Sequence, residues 1–410
     1  MKIRMSVVAL TLALTAPLLA QPPHTVQDEY AVYDLQSPES ASFRTVYEVA
    51  VTTPGETVFS DRIGAGLTTA NAGDDGVEDL MSGAALKYTV TSSAIEVQLA
   101  RPVPADGGQA RLRITKTYKD AAHYRRDGSG LVFDRPVPIR HAAVILPSKY
   151  QLTECNVPSQ VLTDPDGRIR VSFMYQAPGA APLILKAGPG APSGDAAKSR
   201  PLTNARTWET MPTQGPTERA RLSERAHQDR DIVYFLQEPS TNAFSLYHDY
   251  TESREGVDKY LNVVRTGSTV SNTSGRILDT GEVLKAETLT GAQMKAAGID
   301  AGGDQVAPDQ QVVVTRFSPV KKGQSIRLRL SETYTAPQSY RLEGDEFVFE
   351  RSLGRPRNSV VLPRGWYLTA LSIPAVVRQT PDGLTRVDFV NGRPDSVDVL
   401  IKGKKMVVRY

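Results

Sequence analysis

Apolar and charged residues alternate in Ile326-Arg327-Leu328-Arg329-Leu330, which puts three aliphatic side chains on one face of the segment and two arginines on the other. That period of two predicts a strand with one dry face and one wet face. The same alternation runs through Glu346-Phe347-Val348-Phe349, Arg386-Val387-Asp388-Phe389-Val390 and Ser396-Val397-Asp398-Val399-Leu400-Ile401. Between these runs lie Glu343-Gly344-Asp345, Pro381-Asp382-Gly383 and Asn391-Gly392, which supply the residues tight turns require. Short alternating runs punctuated by turns predict antiparallel strands stacked as a β-sandwich, and the scarcity of helical periodicity argues against an α/β fold.

The pattern occurs twice. Residues 111–187 align without a gap on 327–403 at an offset of 216, with about a third of the positions identical. Matched pairs include Tyr118 with Tyr334, Tyr124 with Tyr340, Phe133 with Phe349, Arg135 with Arg351, and Leu146-Pro147 with Leu362-Pro363. The opening matches at an offset of 201, Val32 to Pro38 on Val233 to Pro239, with Phe43 on Phe244. The second copy therefore needs about 15 extra residues, placed between Glu287 and Gln305, where Gly291 to Ile299 has the composition of a short surface helix. The expected fold is all-β, two tandem duplicated antiparallel β-sandwich domains over 25–187 and 232–410. A flexible linker over 188–231, rich in proline and glycine, joins them, with a short polar helix expected in its last part. Trp208 in the linker is expected to dock on a domain.

Residues 1–20 place Lys2 and Arg4 before an apolar run from Val7 to Leu19, the layout of a signal peptide cleaved after Ala20. The run is too short for a retained anchor, so the mature chain is expected to be secreted or periplasmic, with no integral membrane segment. The formal charge of +3 falls to +1 without Lys2 and Arg4 (3 − 2 = 1), which gives no electrostatic reason to bind nucleic acid. Cys155 is the sole cysteine, so no disulfide forms within the chain. It is expected to be a small buried packing residue.

Motifs for chemistry are absent. The histidines His24, His123, His141, His227 and His248 are scattered singly, so neither a metal nor a cofactor is expected. Ser318-Pro319-Val320-Lys321 has Ser-x-x-Lys spacing but reads as a loop, and Gly64-Ala65-Gly66 lacks the βαβ unit of a dinucleotide site. Asn71 to Asp79 offers Asp74, Asp75, Glu78 and Asp79 as oxygen ligands for calcium, although hydrated turns have the same composition.

The two copies differ in one stretch. The second concentrates polar residues between His248 and Glu282, and a concave patch of His248, Asn262, Arg265, Asp279 and Glu282 would hold a sugar or a peptide. The competing expectation is that Arg265 and Asp279 pair with each other to fix strand register. The sequence thus predicts an exported, non-catalytic binding or scaffolding protein of the cell envelope, whose partner is an envelope protein. The alternative is a carbohydrate- or peptide-binding protein with a polar groove in the second domain, acting as a hydrolase accessory. A scaffold would satisfy that polar stretch internally, whereas a binding site would leave its side chains convergent and unpaired. In architecture alone, the duplicated plan resembles the β-saddle that precedes the catalytic domain of some aminopeptidases; no motif carries the likeness, and no function comes with it.

Overall fold

A computed structural model describes residues 28–63, 76–190, 224–227, 230–301, 305–393 and 395–406. The signal-peptide region, Gly64 to Gly66, Asp74, Asp75 and Trp208 lie outside these residues. Among the described residues no helix is long and apolar enough to cross a membrane.

The first half is built on a seven-stranded sheet, in the order Gln160–Thr163, Ile169–Met174, His141–Ile145, Glu29–Leu35, Ser42–Val51, Ala110–Lys119 and Val77–Asp79. A four-stranded sheet (Tyr150–Cys155, Ala181–Pro189, Gly130–Val137, Tyr124–Asp127) and a three-stranded sheet (Val58–Arg62, Ala94–Gln98, Tyr88–Val90) accompany it. The second half repeats the plan. Its large sheet is eight-stranded, centred on Ile326–Thr335, Ala243–Glu252, Arg230–Leu236 and Arg357–Val361, again with one four-stranded and one three-stranded partner. Pairing is antiparallel except at one place in each large sheet, where Glu29–Leu35 runs parallel to His141–Ile145 and Arg230–Leu236 to Arg357–Val361. A parallel pair needs a long crossover. Here the intervening strands provide it.

Alternation along these strands sends aliphatic and aromatic side chains into the core of each half. Tyr33, Phe43 and Phe133 pack with centroids 5.6 to 5.9 Å apart. Their counterparts Tyr234, Phe244 and Phe349 pack at 5.7 to 5.8 Å. The Tyr124 hydroxyl donates to the carbonyl of Gln36, and that of Tyr340 to the carbonyl of Gln237 at 2.6 Å. One contact therefore carries both sequence offsets. The Leu146-Pro147 and Leu362-Pro363 pairs follow strand ends, where proline's missing N–H costs no ladder bond. The extra residues of the second copy replace the turn Thr91 to Ser93 and carry the helix Gly291–Ala296, opened by a capping box between Thr290 and Gln293.

The wet face expected for Ile326–Thr335 is a correction: Arg327 and Arg329 are 5% and 7% exposed. Alternation separates polar from apolar faces without saying what covers the polar one. Here the other half covers Arg327, which lies 4.0 Å from Asp28, while Arg329 is closed within its own half by Asp249 at 2.8 Å and the Tyr247 ring at 4.1 Å. The backbone N–H of Gln109 donates to Leu278 O at 2.9 Å, and that of Ser325, the counterpart of Gln109, donates to Met81 O at 3.1 Å. Such reciprocity is the signature of an isologous contact, formed here within one chain. Residues 224–227 bend across the junction, and the rest of the segment expected to be helical, 216–223 and 228–229, lies outside the described residues. Arg225 donates to Gly354 O at 2.9 Å, and His227 Nε2 lies 3.0 Å from Glu48.

Candidate functional site

Two concavities concentrate the ionisable groups. The first, about 360 Å³, lies at the junction between Asp28, Glu48, Arg111, Arg113, His227 and Arg327. Its carboxylates are matched with cations. Asp279, fully buried, accepts from Arg111 Nε at 2.6 Å and from the Arg327 backbone N–H at 2.6 Å. Asp28 takes both terminal nitrogens of Arg357, at 2.7 and 2.9 Å. Burial alone would raise the Asp28 carboxyl, but Arg357 and His141 hold it far below the usual carboxylate range. Glu48 sits between His227 and Arg113, which overcome its burial and bring it to about 2. This cleft is a satisfied ionic lock.

The second concavity, about 290 Å³, lies inside the second half. The large sheet contributes Tyr234, His248, Glu332 and Tyr334, the strand Lys259–Val263 contributes Tyr260 and Asn262, and Arg265, Arg351 and Arg355 complete it. The charges here are not matched. Arg351 is 9% exposed, touches the rings of Phe244 and Tyr334 at 5.3 and 5.6 Å, and reaches Ser339 Oγ at 3.5 Å and the Tyr234 hydroxyl, both neutral groups. Its Nε, the Nε of Arg355 and His248 Nε2 are all buried without a hydrogen-bond partner. Arg265, exposed at the mouth, donates to Ser352 O at 2.6 Å; loss of hydration around its guanidinium, then repulsion from Arg351, lowers its pKa. Glu332 is held by Asn262 Nδ2 at 2.6 Å, and burial pushes its carboxyl upward. Burial first, then Arg355, keeps the His248 ring well below its ordinary pKa and therefore neutral.

Equivalent positions in the first half are closed by ion pairs. Arg135, the counterpart of Arg351, bonds Asp120 at 2.7 Å; the position of Asp120 is Ala336 in the second copy. Lys116 and Asp61 form a buried ion pair where the second copy has Glu332 and Asn262. Ile139 is replaced by Arg355. Across these exchanges the number of cations is unchanged, Arg135 and Lys116 against Arg351 and Arg355, while the carboxylates fall from Asp120 and Asp61 to Glu332 alone.

Of the residues marked in the sequence, His248, Asn262 and Arg265 converge here. Asp279 and Glu282 do not. Asp279 belongs to the junction, and Glu282 is exposed in a turn where its backbone N–H meets Thr280 Oγ1 at 3.2 Å. The expected Arg265–Asp279 pair is absent, because Asp279 lies on the far side of the sheet, facing Arg111 of the other half. Arg351 and Arg355 escaped the reading, although the exchanges Asp120 to Ala336 and Ile139 to Arg355 are visible when the repeats are aligned.

Among the described residues no group of three or more His, Cys, Asp or Glu side chains could hold a metal. Glu78 pairs with Arg113, and Asp79 accepts from Ser82 Oγ at 2.6 Å. Ser318 to Lys321 lies in a loop, and Cys155 is half-buried at the end of Tyr150–Cys155, beside Ser159 Oγ at 3.3 Å.

No known protein family matches the chain, nor does any curated protein. Solved structures similar to it include an M1 zinc metallopeptidase from Deinococcus radiodurans, at 14% identity and a TM-score of 0.30 over 40% of this chain and 42% of that one. Another is an aminopeptidase N family protein from Idiomarina loihiensis, at 10% identity and a TM-score of 0.26 over 42% of this chain and 29% of that one. The chain spans less than half the length of either, and scores this low give no ground for transferring an activity.

Proposed function

We propose that this chain is an exported, non-catalytic binding protein of the cell envelope that holds a small polar ligand, part of a glycan or a peptide, in the second-half pocket. One observation carries the reading: among the described residues Arg351 and Arg355 line that cavity with no carboxylate bonded to either, whereas Arg135, the first-half counterpart of Arg351, is bonded to Asp120. A guanidinium withdrawn from water is strongly disfavoured without an anion beside it, so two such groups on one cavity mark a place where something else supplies the charge. The ionic lock at the junction supports the scaffolding side of the role by fixing the two halves as one unit. The N-terminal pattern of Lys2, Arg4 and the run from Val7 to Leu19 supports export.

The test is a glycan and peptide array probed with the full chain and with Arg265→Ala. Signals that the substitution weakens support the reading; identical, empty profiles end it.

A further inference from the structure

The chemistry of the ligand follows from what the second copy has lost. A buried guanidinium is strongly disfavoured unless an anion accompanies it. The first copy meets that need internally, with Asp120 on Arg135. The backbone around the exchanged position is the same in both copies: Asp120 N–H donates to Ala41 O and Ala336 N–H to Asn242 O, while Tyr124 N–H and Tyr340 N–H return to the carbonyls of residues 120 and 336. The fold at this point therefore accommodates a carboxylate, and the second copy omits it. With Arg355 in place of Ile139 and Arg265 at the mouth, three guanidinium groups surround a cavity whose one carboxylate, Glu332, is tied to Asn262.

We infer that the pocket takes an oxyanion group, a carboxylate or a phosphate on a small ligand, held by Arg351 and Arg355 with Arg265 closing the mouth. The inference rests on the binding reading above and narrows its ligand to acidic ones. Guanidinium donates in a planar fork that matches both carboxylate and phosphate. Tyr234, Tyr260 and Tyr334 wall the remaining volume, which suits a body the size of a sugar ring or a short peptide end. His248, being neutral, adds a ring nitrogen able to bond a hydroxyl or amide of that body without repelling the anion's cationic partners.

The experiment is a calorimetric titration of the full chain with matched probes: D-glucuronate against D-glucose, an acetylated dipeptide acid against its amide, and inorganic phosphate. Wild type, Arg355→Gln and Ala336→Asp are compared, the last restoring the carboxylate of the first copy to quench Arg351 without truncating any side chain. The expected result is that an acidic probe binds about tenfold or more tightly than its neutral partner, and that both substitutions weaken it by a similar factor. Phosphate binding alone assigns the oxyanion to phosphate, and preference for one acid assigns the carboxylate source. Equal binding of a neutral partner overturns the oxyanion inference while leaving the binding reading in place. Failure of every anion at tens of millimolar overturns the inference as well, and the array then decides whether the binding reading survives.

Discussion

His141 and Arg357 occupy the same position in the two copies and face each other across the junction, with Arg357 Nη1 3.4 Å from His141 Nδ1. A residue meeting its own counterpart marks the local two-fold relation between the halves. Asp28 neutralises the pair, 3.5 Å from His141 and 2.7 Å from Arg357. Asp28→Asn leaves Arg357 buried without its counter-charge. The expected cost is about 3 kcal/mol, read as a lower urea midpoint.

Asp279 performs the same service for Arg111. Asp279→Ala is expected to destabilise the chain by about 3 kcal/mol and to loosen the junction, visible as faster proteolysis between the halves. Combining it with Arg111→Met recovers most of that loss, because the stranded charge is removed too. Additive losses in the double variant would show that the two side chains do not depend on each other.

Stability should fall in acid through the same lock. Glu48 titrates at about 2 when folded and near 4.5 otherwise, and Asp28 is displaced in the same direction. A depressed carboxylate contributes in full above its unfolded pKa and loses that contribution as pH drops through the folded value. The contribution of these two carboxylates to the urea midpoint is therefore expected to be level above about pH 5 and to decline from about pH 4.5 towards 2, with a shallower decline in Glu48→Gln.

His248 gives a separate signature. Its folded pKa is depressed, so below about pH 6.5 the unfolded chain takes up a proton that the native ring refuses, and stability declines accordingly. Nitrogen-detected histidine spectra are expected to show a neutral His248 ring at about pH 5.5, while an exposed imidazole is protonated. A ring that titrates near 6.5 would place His248 in water rather than in the pocket.

Much of this architecture is legible in the chain. The alternation at Ile326 to Leu330, the paired Leu-Pro segments and the helix composition after Gly291 each report a local cause, and each is found in place. The covering of Arg327 and Arg329 is not legible, because alternation says nothing about what lies opposite a polar face. For the site, the polar run from His248 to Arg265 was visible as composition. Asp279 was misplaced because it follows the end of Thr269–Ile277 and turns towards the other half, a matter of three-dimensional packing. Arg351 matches Arg135 in the repeat, and what sets it apart is the carboxylate missing at Ala336, a feature carried by a difference between the copies rather than by a shared residue.

The central claim is that the second copy gave up internal charge pairing to keep a cavity lined with cations. Removing an internal partner lowers stability, and restoring one raises it. The most direct measurement is the melting temperature of the ligand-free chain carrying Asp120→Ala or Ala336→Asp. The account predicts opposite signs: a lower melting temperature for Asp120→Ala, and one raised by about 2 °C or more for Ala336→Asp. A fall in both would contradict it, since Arg351 would then be shown to need no partner.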